Sequence, residues 1–512
     1  MDESIKHKSN NILQYGIFFI ISFLMMLLFS ESSPLYWFNN FADTQIYFTI
    51  GRGMMHGILP YKGLLDQKGP MTFFIYGLAS LIQIKNCMYL GVYLFESISL
   101  FISLILTNKI IYLISKNKLI SFILSLVYPV LLVVRNAFVT GGAAEEFALP
   151  FLLGLIYFAL KLIKNNYTYN NLGFFIQGIL MGCVFWMKYT LIGAWLGFAL
   201  VLLIILIFKH RWQDIFKYIL LAFLGFVVAS LPWIIYFAIN NGLKSLFIGY
   251  FYFNIVVYPK KVSILRKILY ATFFTFYSYH KNIIAYLFIV VGAYLAVLSN
   301  KITEKWSGKL MLLTMMFCNG FLVYCGYIFG KNYQLILLPF SVITLAALGK
   351  ILATHKIKIN NITAMIAILL VFILGFCFNF NFKFSKVCGA KEPIQYKFVN
   401  TMKQISHSNK PTFLEYDSMD YGFYNVANEF PPTKYFNKMV NSSGFTAIMK
   451  SQNNIIRNKK VEFVICKTDN NVSLKKNHQL LLKNYYVIKE NKYYDEYIPG
   501  PGGTFYLLEK RD

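Results

Sequence analysis

The chain has 512 residues, of which 57% are hydrophobic and only 14% are charged. Soluble domains carry about 25% charged residues, so this composition excludes a soluble enzyme, a disordered protein and a fibrous protein. The formal net charge of +27 does not indicate nucleic acid as a partner, because the basic residues lie between apolar runs and form no patch. In a membrane protein, the same excess sets the topology and favours anionic lipid.

Apolar runs long enough to cross a bilayer recur along most of the chain. A spanning helix needs about 20 mainly apolar residues, because lipid cannot hydrogen-bond the backbone. The sequence therefore predicts an all-α polytopic membrane protein, and the first run is interpreted as an uncleaved anchor because no small-residue cleavage site follows it. We identify about eleven such runs, at residues 11–30, 90–107, 119–135, 147–163, 172–187, 190–208, 215–239, 282–299, 309–329, 333–353 and 362–381.

The placement of Lys and Arg predicts the topology. With a cytoplasmic N-terminus, short inner segments such as 108–118 and 300–309 are denser in basic residues than the outer segments, as the positive-inside rule requires. An odd number of spans then places the C-terminal tail outside. We therefore predict a multi-pass protein of a bacterial plasma membrane, with a transmembrane domain at 1–381 and an extracytoplasmic domain at 382–512.

The first outer loop, at residues 31–89, is long for a connection, which favours a functional segment. Residues 71–84 within it are apolar but too short to span, so we interpret them as a juxtamembrane helix at the outer interface. The C-terminal tail alternates apolar runs near 412–416, 461–466 and 504–508 with polar turns and two helical stretches near 391–406 and 446–457. A turn is expected at 499–503, and the tail is predicted to form a small α/β domain.

Acidic residues are scarce, at 22 of 512, so their positions are informative. Asp43 lies in a helix-like stretch after the first span, and Tyr47 follows one turn later on the same face. A half-buried carboxylate in an aromatic-lined site can accept a proton from a hydroxyl nucleophile. The alternative interpretation is that Asp43 caps the N-terminus of its helix.

A second acidic group lies at a predicted membrane boundary. Glu145 and Glu146 open a membrane helix. Acidic residues at a membrane boundary are costly, so one of them is expected to have a charged partner in a site. The alternative is that both interact only with the helix dipole. Glu96 lies within the second predicted helix and is a further functional candidate. A buried, hydrogen-bonded structural glutamate is the alternative for Glu96.

Three lysines are predicted at one level on the outer side: Lys68, Lys188 and Lys331. If they converge, they form a site for a lipid phosphate, which Arg52 and Arg135 could extend. The alternative is that each lysine snorkels to lipid headgroups by itself. Transfer of a sugar from an isoprenoid phosphate needs a base for the incoming hydroxyl and positive charge on the departing phosphate, and these residues supply both.

Other chemistries have weaker support. The aromatic runs at 247–253 and 273–277 could line a groove for a lipid tail or form interface belts. There is no GxxxxGK[ST], GxGxxG, HExxH or GxSxG motif. The seven His residues are scattered, so no metal site is assigned and no cofactor is required; a divalent cation held by carboxylates stays open.

The first outer loop resembles that of the GT-C membrane glycosyltransferases, which include the aminoarabinose transferase and protein O-mannosyltransferase relatives. The resemblance is carried by Asp43, Tyr47, Gly51-Arg52-Gly53, Pro60-Tyr61 and Leu65-Asp66-Gln67-Lys68-Gly69-Pro70. Arg135 with Glu145-Glu146 is similar to the second acidic motif of that superfamily. Lys188 and the Gly330-Lys331-Asn332-Tyr333 segment resemble two later basic elements.

This resemblance implies a GT-C-like fold, a polyprenyl-phosphate-linked sugar donor and an inverting single displacement at the outer face. Asp43 is then the catalytic base, and Lys68, Lys188 and Lys331 face the donor phosphate. The remaining substrate-binding candidates are Tyr47, Arg52, Asp66, Arg135, Glu145, Glu146 and Tyr333. The chain departs from the family at Thr44, where many relatives have a second acid, and at the second motif, where aspartate is common.

The predicted function is therefore transfer of a sugar to a cell-envelope acceptor, such as a glycan, a teichoic acid or another hydroxyl compound. The texture of the sequence is similar to Gram-positive versions of the family that decorate teichoic acid or surface polysaccharide. Two alternatives stay open. One is a transporter or flippase of lipid-linked saccharides, and the other is a polysaccharide polymerase or ligase that uses lipid-pyrophosphate donors.

Overall fold

The computed structural model describes residues 2–84, 87–355, 360–379, 392–406, 408–439, 445–469, 472–493 and 502–511. The predicted domain boundary between residues 381 and 382 lies outside these residues, as does the start of the turn predicted at 499–503. The boundary and the turn therefore stay predictions.

Most of the described chain is helical. Helices α1 to α9 are Asp2–Phe29 (α1), Ala42–Met55 (α2), Pro70–Ser80 (α3), Leu90–Ser115 (α4), Lys118–Ser125 (α5), Val127–Leu132 (α6), Arg135–Phe138 (α7), Ala144–Lys164 (α8) and Asn171–Met187 (α9). After a 3-10 turn at Tyr189–Ile192 come Gly193–Phe208 (α10), Trp212–Ile239 (α11), Leu243–Leu246 (α12), a π-helical stretch at Phe247–Val257 and Ile264–Tyr277 (α13).

The later helices are shorter and more irregular. They are Ile283–Tyr286 (α14), a π-helical stretch at Leu287–Val291, Gly292–Leu298 (α15), Trp306–Tyr324 (α16), a 3-10 helix at Lys331–Phe340, Ser341–Thr354 (α17) and Asn361–Phe378 (α18). The C-terminal region adds Ile394–Ile405 (α19), Phe423–Ala427 (α20), Ala447–Arg457 (α21), Leu474–Asn477 (α22) and Gln479–Asn484 (α23). Its strands are Phe413–Tyr416 (β1), Phe463–Asp469 (β2), Tyr485–Tyr493 (β3) and Gly503–Lys510 (β4).

Among the described residues, eight helical segments are long and apolar enough to cross a membrane. They correspond to eight of the eleven predicted runs. The other three predicted runs form shorter apolar helices, at Lys118–Leu132, Asn171–Met187 and Ile283–Leu298. Many of the spans present apolar side chains to their surroundings, and only 11% of the Asn361–Phe378 window is buried. The chain is a multi-pass membrane protein.

The chain divides into two compact units. The first consists of Met1–Leu35, Val92–Trp233 and Lys260–Phe384, and the second of Tyr36–Gly91, Ile234–Pro259 and Ser385–Asp512. Most of the predicted first outer loop, from Tyr36 onwards, therefore belongs to the same unit as the C-terminal region. In the first unit, α10 packs closely on α16: a Cβ atom at Gly197 would lie 2.6 Å from the carbonyl oxygen of Thr314. Small residues allow such close helix packing in membranes.

In the second unit, α2 and α3 pack against each other through two glycines. A Cβ atom at Gly51 would lie 2.5 Å from the backbone nitrogen of Gly77, and one at Gly77 would lie 2.9 Å from the carbonyl oxygen of Gly51. Helix α3 begins at Pro70, which suits the first helical position because its missing N–H would be unpaired there. Its eleven residues rise about 16 Å, roughly half of a bilayer core, which supports the interpretation of 71–84 as a non-spanning helix.

The C-terminal region contains a four-stranded sheet in the order β1-β2-β4-β3. Strands β1 and β2 are parallel, whereas β4 is antiparallel to both β2 and β3. Helix α21 covers the sheet with Ile455 and Ile456, which pack with Leu414, Val464 and Leu508. The predicted combination of a helical membrane protein with a small C-terminal α/β region is confirmed. Strand β3 was not expected from the sequence.

Candidate active site

The Asp43 carboxylate is held by two neighbours in the second unit. The hydroxyl of Tyr47 donates to Asp43 Oδ2 over 2.8 Å, and Lys68 Nζ lies 3.4 Å from the same oxygen. Lys68 Nζ also donates to the Tyr47 hydroxyl over 2.5 Å. Tyr47 and Lys68 are buried, whereas a quarter of the Asp43 side chain is exposed. The three groups form a closed cluster in which the Asp43 side chain stays partly exposed.

The position of Asp43 on its helix excludes the interpretation that it is the N-cap. The N-cap of α2 is Phe41, and its side chain makes no capping hydrogen bond. Asp43 lies in the first turn, where a negative charge is favourable, but its side chain contacts Tyr47 and Lys68. The one-turn spacing of Asp43 and Tyr47 therefore builds a side-chain pair, and Asp43 is not the cap.

Lys68 is positioned by the loop that carries it. Its carbonyl oxygen accepts a hydrogen bond of 2.5 Å from the buried Tyr61 hydroxyl, and its backbone N–H donates to Asp66 Oδ2 over 3.1 Å. Gly69 and Pro70 then end the loop by starting α3. The main chain on both sides of Lys68 is thus fixed, which directs the ammonium group towards Asp43.

Asp66 contacts this cluster through the backbone N–H of Lys68. Burial raises the pKa of its carboxyl to about 6, with the nearby Asp43 charge acting in the same direction and Lys68 opposing both. The side-chain amide of Asn437 donates to Asp66 Oδ1 over 3.4 Å. The Asp66 carboxylate therefore holds the backbone of the Lys68 loop and links this loop to the C-terminal region through Asn437.

Arg52 has a different environment from the one expected of a phosphate ligand. Its buried guanidinium donates to the carbonyl oxygens of Tyr424 and Glu429 and to Asn428 Oδ1, and it stacks over the Phe430 ring. Burial lowers its pKa to about 10. Arg52 follows Asp43 by nine residues on α2, about 13 Å along the axis, and its described partners belong to the C-terminal region.

A second charged cluster lies in the first unit. Glu145 Oε1 accepts a hydrogen bond of 2.7 Å from Lys188 Nζ, and Glu145 Oε2 accepts one of 2.8 Å from the amide of Asn332. Lys188 Nζ also lies 3.5 Å from the centre of the Tyr333 ring. Glu145 is completely buried. The structure thus brings together Glu145, Lys188 and Tyr333, three of the predicted site residues.

The adjacent Glu146 belongs to another buried group of the first unit. Its Oε2 accepts a hydrogen bond of 3.0 Å from the backbone N–H of Gly142, a residue with a φ of +84°. Its carboxyl interacts directly with that of Glu96, which accepts a hydrogen bond of 2.7 Å from Ser30. Glu145 and Glu146 therefore have separate partners, as expected for neighbours that point about 100° apart on a helix.

The remaining candidates, Arg135 and Lys331, lie in the first unit. Arg135 opens the short helix α7 and Lys331 opens the 3-10 helix, and both are partly buried. The structure describes Lys68 within one compact unit and Lys188 and Lys331 within the other. The expected convergence of these lysines on one phosphate site stays a prediction, as do the assigned roles of all the site residues.

Sequence reasoning missed several partners of these groups. Asn332 lies between two predicted site residues, Lys331 and Tyr333, and is not itself predicted from the sequence. Asn437, Asn428 and Ser30 have no local signal, because they contact residues 66 or more positions away. Among the described residues, no three Asp, Glu, His or Cys side chains meet in a group able to hold a metal ion.

Comparison with family models and with the sequences of curated proteins gives no match. Among solved structures, ArnT from Cupriavidus metallidurans bound to undecaprenyl phosphate aligns with a TM-score of 0.61 at 9% identity, over 98% of each chain. The apo form of ArnT gives 0.60 at the same identity and coverage. The apo oligosaccharyltransferase of Archaeoglobus fulgidus aligns at 12% identity over 90% of this chain and 69% of its own, with a TM-score of 0.43. At these identities the likeness shows the fold alone: the chain has the GT-C-like fold of ArnT.

Proposed function

We propose that this chain is a membrane glycosyltransferase of the GT-C type. It transfers a sugar from a polyprenyl-phosphate donor to a hydroxyl acceptor of the cell envelope, on the outer face of a bacterial plasma membrane. The observation that carries the proposal is the partly exposed Asp43 carboxylate held by Tyr47 and Lys68. The fold supports it, because the similar ArnT was solved with undecaprenyl phosphate bound.

The proposed role of Asp43 is that of the general base. Tyr47 and Lys68 both contact Oδ2, so Oδ1 is the oxygen that takes the proton of the acceptor hydroxyl. The acceptor oxygen then bonds to the anomeric carbon as the bond from that carbon to the phosphate oxygen breaks. The polyprenyl phosphate leaves with the electron pair. A single displacement of this kind inverts the anomeric configuration.

The proposed role of Lys68 is electrostatic. Its ammonium is buried beside the base, where a positive charge acts more strongly than in water. The phosphate gains negative charge as it departs, so Lys68 stabilises the transition state more than the bound donor. Lys188, which lies beside Glu145 and Tyr333, and Lys331 are proposed as further contacts of the donor.

The central experiment assays purified protein in nanodiscs against a panel of radiolabelled polyprenyl-phosphate sugars, with and without EDTA. Asp43→Asn removes the proposed base, and we expect transfer to fall by about 10²–10⁴-fold. Asp214→Asn is the matched control, because Asp214 also lies in a first turn and pairs with a basic residue, Arg211, at comparable exposure. Transfer that survives Asp43→Asn at the level of the control would remove Asp43 from the mechanism.

A further arm identifies the donor class. Lipid-pyrophosphate sugars are offered in parallel with the monophosphate donors. Transfer from the pyrophosphate donors alone would favour a polymerase or ligase. Movement of the lipid-linked saccharide across the bilayer without transfer would favour a flippase. The acceptor panel includes teichoic acid and surface polysaccharide.

A further inference from the structure

The C-terminal region contains an open cleft at the carboxyl ends of its two parallel strands. The cleft measures about 340 Å³, at the small end of the range of about 300–1,000 Å³ that is typical of ligand pockets. Ligands of α/β sheets bind outside the carboxyl ends of parallel strands. Within the described residues, the cleft shares no lining residue with the Asp43 cluster. It is lined by Asp417, Ser418, Met419, Tyr421, Lys438, Lys467, Thr468, Asp469, Val472 and His478.

The backbone at the end of β1 is bent to form the rim of this cleft. Asp417 has a φ of +56°, in the left-handed region that costs free energy for most residues and that Asp and Asn tolerate best. Its N–H donates to Gln452 Oε1 over 2.9 Å, and its carboxylate pairs with Lys438. The backbone N–H of Lys438 also donates to the carbonyl oxygen of Ser418 over 2.9 Å. The surrounding contacts therefore maintain a strained conformation whose effect is to present the Asp417 carboxylate.

The charges of the lining residues balance. Lys438 and Lys467 oppose Asp417 and Asp469, so the cleft lacks the excess of positive charge that a nucleotide or a free phosphate requires. Burial lowers the pKa of His478 below its usual value, so its ring is uncharged at pH 7 and can both donate and accept a hydrogen bond.

The hydrogen-bonding character of the lining is mixed. Eight of the ten lining side chains carry a polar group, and only Met419 and Val472 are apolar, which offers no anchor for the apolar side chains of a peptide. Lys467 Nζ donates to the Tyr421 hydroxyl over 3.2 Å and lies over the Tyr421 ring. The lining therefore offers both donors and acceptors within a few side chains, which matches a ligand that is rich in hydroxyl groups.

We propose that this cleft binds an uncharged saccharide of one or two sugar rings. Asp417, Asp469 and His478 accept hydrogen bonds from its hydroxyl groups, and Lys467 and Tyr421 donate to its oxygens. The identification of this saccharide as a part of the acceptor glycan rests on the proposed function, whereas the binding itself does not.

The test measures binding to the full chain in nanodiscs by saturation-transfer NMR and calorimetry. The probes are glucose, galactose, N-acetylglucosamine and their disaccharides, with inorganic phosphate and a nucleoside diphosphate as charged comparisons. Asp417→Asn keeps a residue that tolerates the left-handed conformation and removes only the charge. Lys467→Met removes the amine. Glu490→Gln and Lys492→Met are the matched controls, because both residues are exposed on β3 of the same sheet.

We expect at least one uncharged saccharide to bind, with affinity reduced tenfold or more by Asp417→Asn and by Lys467→Met and unchanged in the two controls. Asp43→Asn should keep this binding while it loses transfer. Binding of none of the saccharides, or equal binding by the cleft variants and the controls, would overturn the inference. So would binding of phosphate or the nucleoside diphosphate alone. If the wild-type protein shows no transfer activity, only the proposed function is contradicted, because saccharide binding is measured without a donor.

Discussion

Thr49 donates a hydrogen bond of 2.6 Å to the buried Asp420, which follows it by 371 residues in the sequence. On the same helix, α2, the carbonyl oxygen and the side-chain oxygen of Gln45 accept hydrogen bonds from the Asn425 amide. Arg52, also on α2, donates to the segment that follows α20. The helix that carries Asp43 is thus hydrogen-bonded along one side to the C-terminal region. It follows that the C-terminal region positions the candidate base.

Replacement of Arg52 tests the contribution of these hydrogen bonds between α2 and the C-terminal region. In Arg52→Met, the carbonyl oxygens of Tyr424 and Glu429 and the side chain of the exposed Asn428 lose a charged donor, so we expect the free energy of unfolding to fall by about 2 kcal/mol. Transfer should fall through kcat more than through the KM of the donor, because α2 is displaced while the donor contacts remain. Thermal unfolding and steady-state kinetics in nanodiscs measure both. Arg457→Met is the control, since Arg457 is exposed at the end of α21. Equal effects of the two variants would contradict the claim that Arg52 holds α2 to the C-terminal region.

Lys68 is the residue whose charge the proposed mechanism uses. Lys68→Met should lower kcat/KM by about 10²–10³-fold, as expected when one stabilising donor is removed from an active site. Lys68→Arg keeps the charge but changes the geometry and should recover only part of the rate. Lys62→Met, in the same loop but exposed, controls for general effects of charge on lipid binding. A rate for Lys68→Met within a few-fold of this control would indicate a purely structural lysine.

Variants of the buried pair of Glu145 and Lys188 distinguish a role in stability from a role in donor binding. Removal of one partner from a buried ion pair costs about 3–5 kcal/mol, because the other charge remains buried alone. Glu145→Gln and Lys188→Met should therefore each lower the unfolding temperature, and the double variant should be more stable than either single variant. If Lys188 also contacts the donor phosphate, the double variant regains stability without regaining affinity for the donor. Full recovery of donor affinity in the double variant would assign the pair to folding alone.

Close packing of α2 on α3 gives a further test of the second unit. Gly51→Ala places a Cβ atom against backbone atoms of α3, which have no flexible side chain to yield, so we expect a clear loss of stability. Gly16→Ala is the control, because Gly16 lies on α1 with open space around its Cβ position. That change should be neutral or slightly stabilising, since Ala is a better helix former. A Gly51 variant as stable as the Gly16 variant would show that the two helices separate at little cost.

The sequence predicts the elements of the Asp43 cluster better than it predicts their partners. Asp43 and Tyr47 are one turn apart, so helical periodicity alone places them together. Lys68 joins them only because Tyr61, Asp66 and Pro70 shape the intervening loop, which is a tertiary effect. Arg52 was expected near phosphate, but its described contacts are with residues about 370 positions away. Local patterns do not encode such contacts.

The same distinction applies to the fold. Long apolar runs predict spans well, because the requirement of the bilayer is local in sequence. Strand β3 was missed because Lys489, Glu490, Asn491 and Lys492 give it the composition of a loop. Its pairing with the more apolar β4 is what makes it a strand. The other three predicted runs also form apolar helices, although these are shorter, at 10–17 residues.

Glu415 provides the pH-dependent prediction. Its carboxyl is completely buried, and burial, together with the charge of Asp420, raises its pKa well above the usual 4.5. Burial also raises the pKa of Asp420, which Arg52 opposes. A folded-state pKa above the unfolded value means that the folded protein binds the extra proton. The resulting stability is fully present below about pH 4.5 and is lost as the pH rises through the folded-state pKa.

We therefore expect Glu415→Gln to flatten the dependence of the unfolding temperature on pH. The amide carries no proton to lose, and its NH₂ group can donate to the adjacent Asp420 carboxylate. The variant should gain stability over the wild type as the pH is raised from 5 to 8.5, whereas Glu490→Gln, at an exposed position of β3, should follow the wild type. The measurement is thermal unfolding of the full chain in nanodiscs across this range. Parallel curves for wild type and Glu415→Gln would show that Glu415 is ionised in the folded protein, and the junction between α2 and the C-terminal region would then depend on charge rather than on a retained proton.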